Sequence, residues 1–157
     1  MFGRKKKPTE AKSLRPDLEA ALAEANRDLS GRKAEKAAKK RADWARGLRL
    51  RDDEQVRAVA VPASPKRAKD AGVTEGGPGV LAVTDKRVLF HSKMLKTEQN
   101  ESVPLRTVTA VNVKTGVRGV TWLTIETAGG AQLEFIGGKD RFDPVYDAIE
   151  RGREELA

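Results

Sequence analysis

The chain contains no cysteine. That absence excludes disulfides and thiolate metal sites and is compatible with a reducing cytoplasm. Histidine is nearly missing too: His91 stands alone, so a His-based zinc site or a Ser-His-Asp triad would have to be built around it. No apolar run approaches the roughly 20 residues that a membrane-spanning helix needs. The opening Met1-Phe2-Gly3-Arg4-Lys5-Lys6-Lys7 is basic, but Pro8-Thr9-Glu10 follows it instead of the apolar stretch of a secretory signal. Glycine is third rather than second, so the myristoylation pattern fails. The expectation is a soluble cytoplasmic protein, with no cofactor.

A charge excess is also missing from most of the chain. Residues 51–157 hold 16 Lys+Arg and 16 Asp+Glu, whereas residues 1–50 hold 15 against 7. The whole net charge of +8 therefore belongs to the first third. The molecule reads as a basic appendage on a neutral domain, and its 157 residues suit one compact unit plus that appendage.

Three segments follow. Residues 1–13 form a basic, polar tail expected to be disordered. Residues 14–50 form a basic, Ala-rich helical extension. Its first helix begins near Pro16, with Asp17 and Glu19 at the positive end of the dipole. Leu14, Leu18, Leu22, Ala25 and Leu29 make one apolar stripe at helical spacing, which could pack on the domain or pair two copies. After Ser30-Gly31 the helical pattern resumes over residues 32–46. Its thin face of Ala34, Ala37, Ala38, Ala42 and Ala45 has Trp44 as the one large anchor. Lys33, Lys36, Lys39, Lys40 and Arg41 read as a basic face.

Residues 51–157 carry a series of strands and one closing helix. In the first strand, Val56, Ala58 and Ala60 alternate against Arg57, Val59 and Val61, and Pro62 ends it. Residues 62–78 read as a long loop. Two apolar runs, residues 80–83 and 88–90, flank Thr84-Asp85-Lys86-Arg87, which marks a hairpin. Residues 92–99 read as a loop and residues 101–105 as a short fourth strand. Residues 108–114, 120–127 and 132–136 give three more strands, the last two joined at Ala128-Gly129-Gly130. A final helix, capped by Asp140 or Asp143, places Phe142, Val145, Tyr146 and Ile149 on one face.

The run Gly79-Val80-Leu81-Ala82-Val83-Thr84-Asp85-Lys86-Arg87-Val88-Leu89-Phe90 carries a family resemblance. So do Val103-Pro104-Leu105 before residues 108–113, Leu123-Thr124-Ile125, and Leu133-Glu134-Phe135 before the helix. Over about residues 50–156 the chain resembles the small bacterial pleckstrin-homology (PH) domains of the YokE-like kind. The resemblance implies an α+β, mainly β fold. It is a seven-stranded, partly open barrel of two near-orthogonal antiparallel sheets, capped by a C-terminal helix and here preceded by N-terminal helices. It also implies that ligands, where present, meet the loops between strands one and two, three and four, and six and seven. Fold of this kind says little about ligand.

Three groups of residues are candidates for binding. Lys66, Arg67 and Lys69 lie in the expected first loop. Phosphoinositide-binding relatives also carry basic residues along strand two, which residues 80–83 lack, so that departure counts against an inositol-phosphate pocket. Lys93-Met94-Leu95-Lys96 sets two apolar side chains between two lysines, where they could enter a membrane surface or fold back on the barrel edge. Arg4, Lys5, Lys6 and Lys7 could meet anionic lipid or nucleic-acid phosphate, or stay a solvated tail. His91 reads as structural. Gly116-Val117-Arg118-Gly119 matches the KH glycine loop in letters only, because strands flank it. Trp122 is expected on the outer face, where the N-terminal helices could pack. No acid pair, nucleophile motif or phosphate loop points to an enzyme.

The functional expectation is a non-enzymatic binding or scaffold protein of the bacterial cytoplasm. It would be recruited to a protein partner or to the anionic inner membrane face through its barrel loops and basic N-terminus. The alternative is association with nucleic acid or the ribosome through residues 1–50, and homo-oligomerisation through the leucine stripe stays open.

Overall fold

The computed structural model describes residues 13–66, 77–94 and 97–157. Helices α1 (Pro16–Ala25) and α2 (Ala34–Arg46) precede seven strands: β1 (Val56–Lys66), β2 (Gly79–Thr84), β3 (Arg87–Met94), β4 (Thr97–Pro104), β5 (Val108–Thr115), β6 (Thr121–Thr127) and β7 (Gln132–Gly137). Helix α3 (Asp143–Leu156) closes the chain. Every strand pairing is antiparallel, in the order β4-β3-β2-β1-β7-β6-β5. β1 joins the two halves: residues 56–63 pair with β2, and Ser64, Pro65 and Lys66 pair with Ile136, Phe135 and Glu134 of β7.

Two apolar clusters share the first half of the sheet. The inner one joins Ala58, Ala60, Leu81, Val83, Val88 and Phe90 to the β5–β7 face and to Phe142, Val145 and Ile149 around α3. The outer one joins Val56, Val59, Val61, Val80, Ala82 and Leu89 to Leu18, Leu22, Trp44, Ala45 and Leu48. The N-terminal helices thus lie on the outer face of β1–β3, and all six residues of β2 are buried. Fully burying a large apolar side chain contributes about 1.5–3 kcal/mol, so Leu18, Leu22 and Trp44 together hold the extension firmly. The leucine stripe is therefore used within the chain. Trp44 is the anchor expected of it, but Trp122 does not receive the helices; its ring lies against Gly116 in the β5–β6 connection.

Several boundaries differ from the sequence reading. Pro62 does not end β1. A register shift between Ala60 and Ala63 leaves the ladder irregular there, so a residue without an N–H removes no bond. A second shift between Val56 and Ala58 turns Val56 to the outer face with Val59 and Val61. Residues 92–94 and 97–99 are strand and not loop, since β3 and β4 pair from Arg87↔Pro104 to Met94↔Thr97. Neither Asp140 nor Asp143 caps α3: Phe142 holds the N-cap position without a side-chain bond, and Asp143 begins the helix.

Candidate anion-binding surface

The sequence-predicted site residues divide by what the structure describes. Arg4, Lys5, Lys6, Lys7, Arg67, Lys69, Leu95 and Lys96 lie outside the described residues. Lys66 ends β1 opposite Glu134, and Lys93 on β3 stands opposite Glu98. Met94 ends β3 opposite Thr97. Residues 93 and 94 of the expected loop are thus strand, and Lys93 has an acid at the paired register position. Cross-strand pairs of opposite charge interact, so Lys93 is not a cation set apart from acids.

Helix α2 separates its residues cleanly. Trp44, Ala45 and Arg41 are buried, while Lys33, Lys36, Lys39 and Lys40 are exposed. Arg41 was expected on the basic face and is not there. It donates to Asn26 Oδ1 at 3.0 Å and to Asp28 Oδ1 at 2.9 Å, which ties α2 back to the end of α1. Arg141 also reaches Asp28, at 3.4 Å, and bonds the Val61 carbonyl. Burial pushes the Asp28 carboxyl up, but the hydrogen bond and charge of Arg41 and the charge of Arg141 outweigh it and hold it below the usual carboxylate range. Lys40 Nζ sits 5.6 Å from the Trp44 ring centroid, within reach of a cation–π contact.

The opposite end of β2 and β3 is organised around a buried ion pair. Glu54, 1 % exposed, precedes β1. Its Oε1 accepts from Arg87 Nε at 3.1 Å and from the Thr84 hydroxyl at 2.9 Å, and its Oε2 accepts from Arg51 N at 2.8 Å. Arg87 Nη2 reaches the same Oε2. Burial alone would raise the Glu54 pKa, but these donors, Arg87 foremost, bring it down to about 2. Thr84 Oγ1 also accepts from the backbone N–H of Lys86 and Arg87 at 3.0 and 2.9 Å, so one hydroxyl fixes both the turn and the acid. Asp85 bonds outward, its Oδ1 accepting from Gln55 N at 2.9 Å.

Beside this pair opens a cleft of about 570 Å³, lined by Arg51, Lys86, Arg87, Arg106 and Ser102, with Pro104 and Leu156 on its apolar side. Sequence reasoning missed it because its cations come from three segments well apart in the chain, at Arg51, Lys86-Arg87 and Arg106. The only local signal was Lys86-Arg87 in the hairpin turn. His91 is buried at 4 % exposure, with Nδ1 donating to Asn100 Oδ1 at 2.8 Å, a structural role. Among the described residues no group of three or more His, Cys, Asp or Glu could hold a metal ion, and no helix is long and apolar enough to cross a membrane.

The model of the bacterial PH domain family matches residues 50–150. The chain belongs to that family. This PH domain is similar in fold to the Vps36 N-terminal PH domain, with a TM-score of 0.55 and 16% identity over 69% of this chain and 85% of that one. It is also similar to a chain of the 8S snRNP assembly intermediate, with a TM-score of 0.46 and 14% identity over 63% and 82% of the two chains. At 16% identity the likeness to the Vps36 domain shows the fold alone. No curated protein matches the chain. The family match leaves α1 and α2 outside it, so the PH domain carries an added layer on its first three strands.

Proposed function

We propose that this PH domain is a non-enzymatic recruitment module that docks on an anionic membrane surface in the bacterial cytoplasm, with α2 and the basic N-terminal segment facing the lipid. One observation carries the reading: Lys33, Lys36, Lys39 and Lys40 are exposed on a helix whose other side is packed on the barrel. A mounted helix presents its charges in one orientation without ordering them at the moment of binding. Each lysine near an anionic bilayer contributes about 1 kcal/mol, so four give useful but reversible attachment. The PH fold supports a binding role, and the sequence surplus of +8 in residues 1–50 supports an anionic partner.

The test is co-sedimentation of the full chain with phosphatidylcholine vesicles, with and without phosphatidylserine. Binding is expected only to the anionic vesicles, falling as salt rises. K33E/K36E/K39E should abolish it; Lys40 is spared because it sits on Trp44. Equal binding to both vesicles, or an unchanged triple variant, overturns the reading. Tighter binding to RNA than to anionic vesicles at the same salt replaces it with nucleic-acid association.

A further inference from the structure

The basic cleft lies at the far end of β2 and β3 from the connections 67–78 and 95–96, where the family resemblance places ligands. Its donors are arranged around an unfilled need. Arg87 has five N–H groups. Nε bonds Glu54 Oε1, Nη2 bonds Glu54 Oε2 and the Arg49 carbonyl, and Nη1 bonds Ser102 Oγ at 3.1 Å. The second Nη1 hydrogen has no acceptor among the described residues. Ser102 Oγ accepts from Arg87, which leaves its own proton to donate. Lys86 gives one hydrogen to Asp53 at 3.0 Å. Arg51 and Arg106 make no side-chain hydrogen bond among the described residues, and both are exposed.

The charges do not balance within the protein. Two of the four cations, Lys86 and Arg87, are paired with Asp53 and Glu54. Arg51 shares Asp53 with Lys86 through charge alone, and Arg106 has no ion pair among the described residues, so the cleft keeps a net positive charge. A phosphomonoester near neutral pH carries about −1.5 to −2, and guanidinium groups match its oxygens in pairs. The volume lies within the range of small-ligand sites, about 300–1,000 Å³. Pro104 and the half-exposed Leu156 give the cleft a side that suits carbon rather than charge.

We infer that this cleft binds a phosphomonoester dianion. The phosphate is held by Arg51, Arg106, the remaining Arg87 N–H and the Ser102 hydroxyl, and the organic part rests on Pro104 and Leu156. The α2 lysines take no part, so this site stands or falls apart from the vesicle experiment above. The phosphate could belong to a soluble metabolite or to a lipid headgroup such as phosphatidic acid, and the test separates these sources.

The isotopically labelled full chain is titrated with phenyl phosphate, against sodium chloride at matched ionic strength, and followed by amide and arginine Nε shifts. Saturable shifts are expected at Arg51, Lys86, Arg87 and Arg106 with phenyl phosphate and not with chloride. R51S/R106S should weaken binding by roughly tenfold or more, with an unchanged thermal melt because both side chains are exposed. K33E/K36E/K39E should leave the affinity unaltered. Displacement of bound phenyl phosphate by phosphatidic acid vesicles assigns the site to lipid, and retention assigns it to a soluble ester. Shifts that track ionic strength alone, or an R51S/R106S chain that binds as tightly as the parent, overturn the inference.

Discussion

Gly47, at the end of α2, lies directly on the imidazole of His91. A β-carbon on residue 47 would come within 2.0 Å of His91 Nε2. The ring has nowhere to go, because it is buried and its other nitrogen is bonded to Asn100. The single histidine of the chain is thus a spacer between the added helical layer and β3. Gly47 has ordinary helical dihedrals (φ −83°), so glycine is needed there for room and not for conformation.

Gly47→Ala is therefore expected to destabilise the fold by about 1–3 kcal/mol through overpacking, read by urea denaturation. In a His91→Ala background the same substitution should cost far less. Strictly additive costs in the double-mutant cycle would show that the two residues do not press on each other.

Glu54 sets the acid limit of stability. Its pKa is depressed in the folded state, so the stabilisation is fully present above the unfolded value near 4.5. It is lost as pH falls toward the folded value of about 2. The drop across that window should be roughly 3 kcal/mol or less. Glu54→Gln should flatten this part of the pH–stability curve. At neutral pH it should also lower stability by about 3–5 kcal/mol, since Arg87 is left buried without its counter-charge. A variant that keeps the full acid slope would place the titration elsewhere.

Gly152 lies inside α3, where glycine costs about 1 kcal/mol against alanine. A β-carbon there would stand 2.5 Å from Leu105 Cδ1, and Leu105 is fully buried. Gly152→Ala should then destabilise despite its better helix propensity, and a smaller residue at 105 should reverse the sign of the substitution. Stabilisation of the parent by Gly152→Ala would mean that Leu105 does not occupy that space.

Trp44→Ala should cost about 3–5 kcal/mol and Leu22→Ala about 2–5 kcal/mol, because both side chains fill the outer cluster. Amide exchange at Val80 and Ala82 should accelerate in both variants, since their side chains lie under the helices. Protected, unchanged exchange there would mean that the barrel stands without its cover.

The barrel was legible from local pattern. Apolar residues stand two apart at Val111 and Val113, Leu123 and Ile125, and Leu133 and Phe135, and the hairpin at residues 79–92 has apolar runs on both sides of a polar turn. Trp44 was legible as an anchor for a similar reason: it is the one large apolar group in an Ala-rich helix. β4 was not legible in full. It is an edge strand with Glu98, Gln99, Asn100, Glu101 and Ser102 in sequence, and only Val103 packs on the core. The passage of β1 through Pro62 depends on a register shift that no propensity records. The Glu54–Arg87 pair and the cleft beside it escaped because Glu54 and Ser102 stand 33 and 15 residues from Arg87. Such groups meet only once the strands have paired.

β2 has no solvent face. In an ordinary surface strand every second position accepts polar residues, and a saturation mutagenesis profile shows a two-residue beat. Across residues 79–84 that beat should vanish, leaving six consecutive intolerant positions: Leu81 and Val83 fail through the barrel interior, Val80 and Ala82 through the helical layer, Gly79 against the His91 backbone and Thr84 through its bond to Glu54. A family-wide substitution profile drawn from PH domains lacking α1 and α2 would mispredict Val80 and Ala82. The extra layer has turned one strand's outer surface from a place where the sequence can drift into one where it is held.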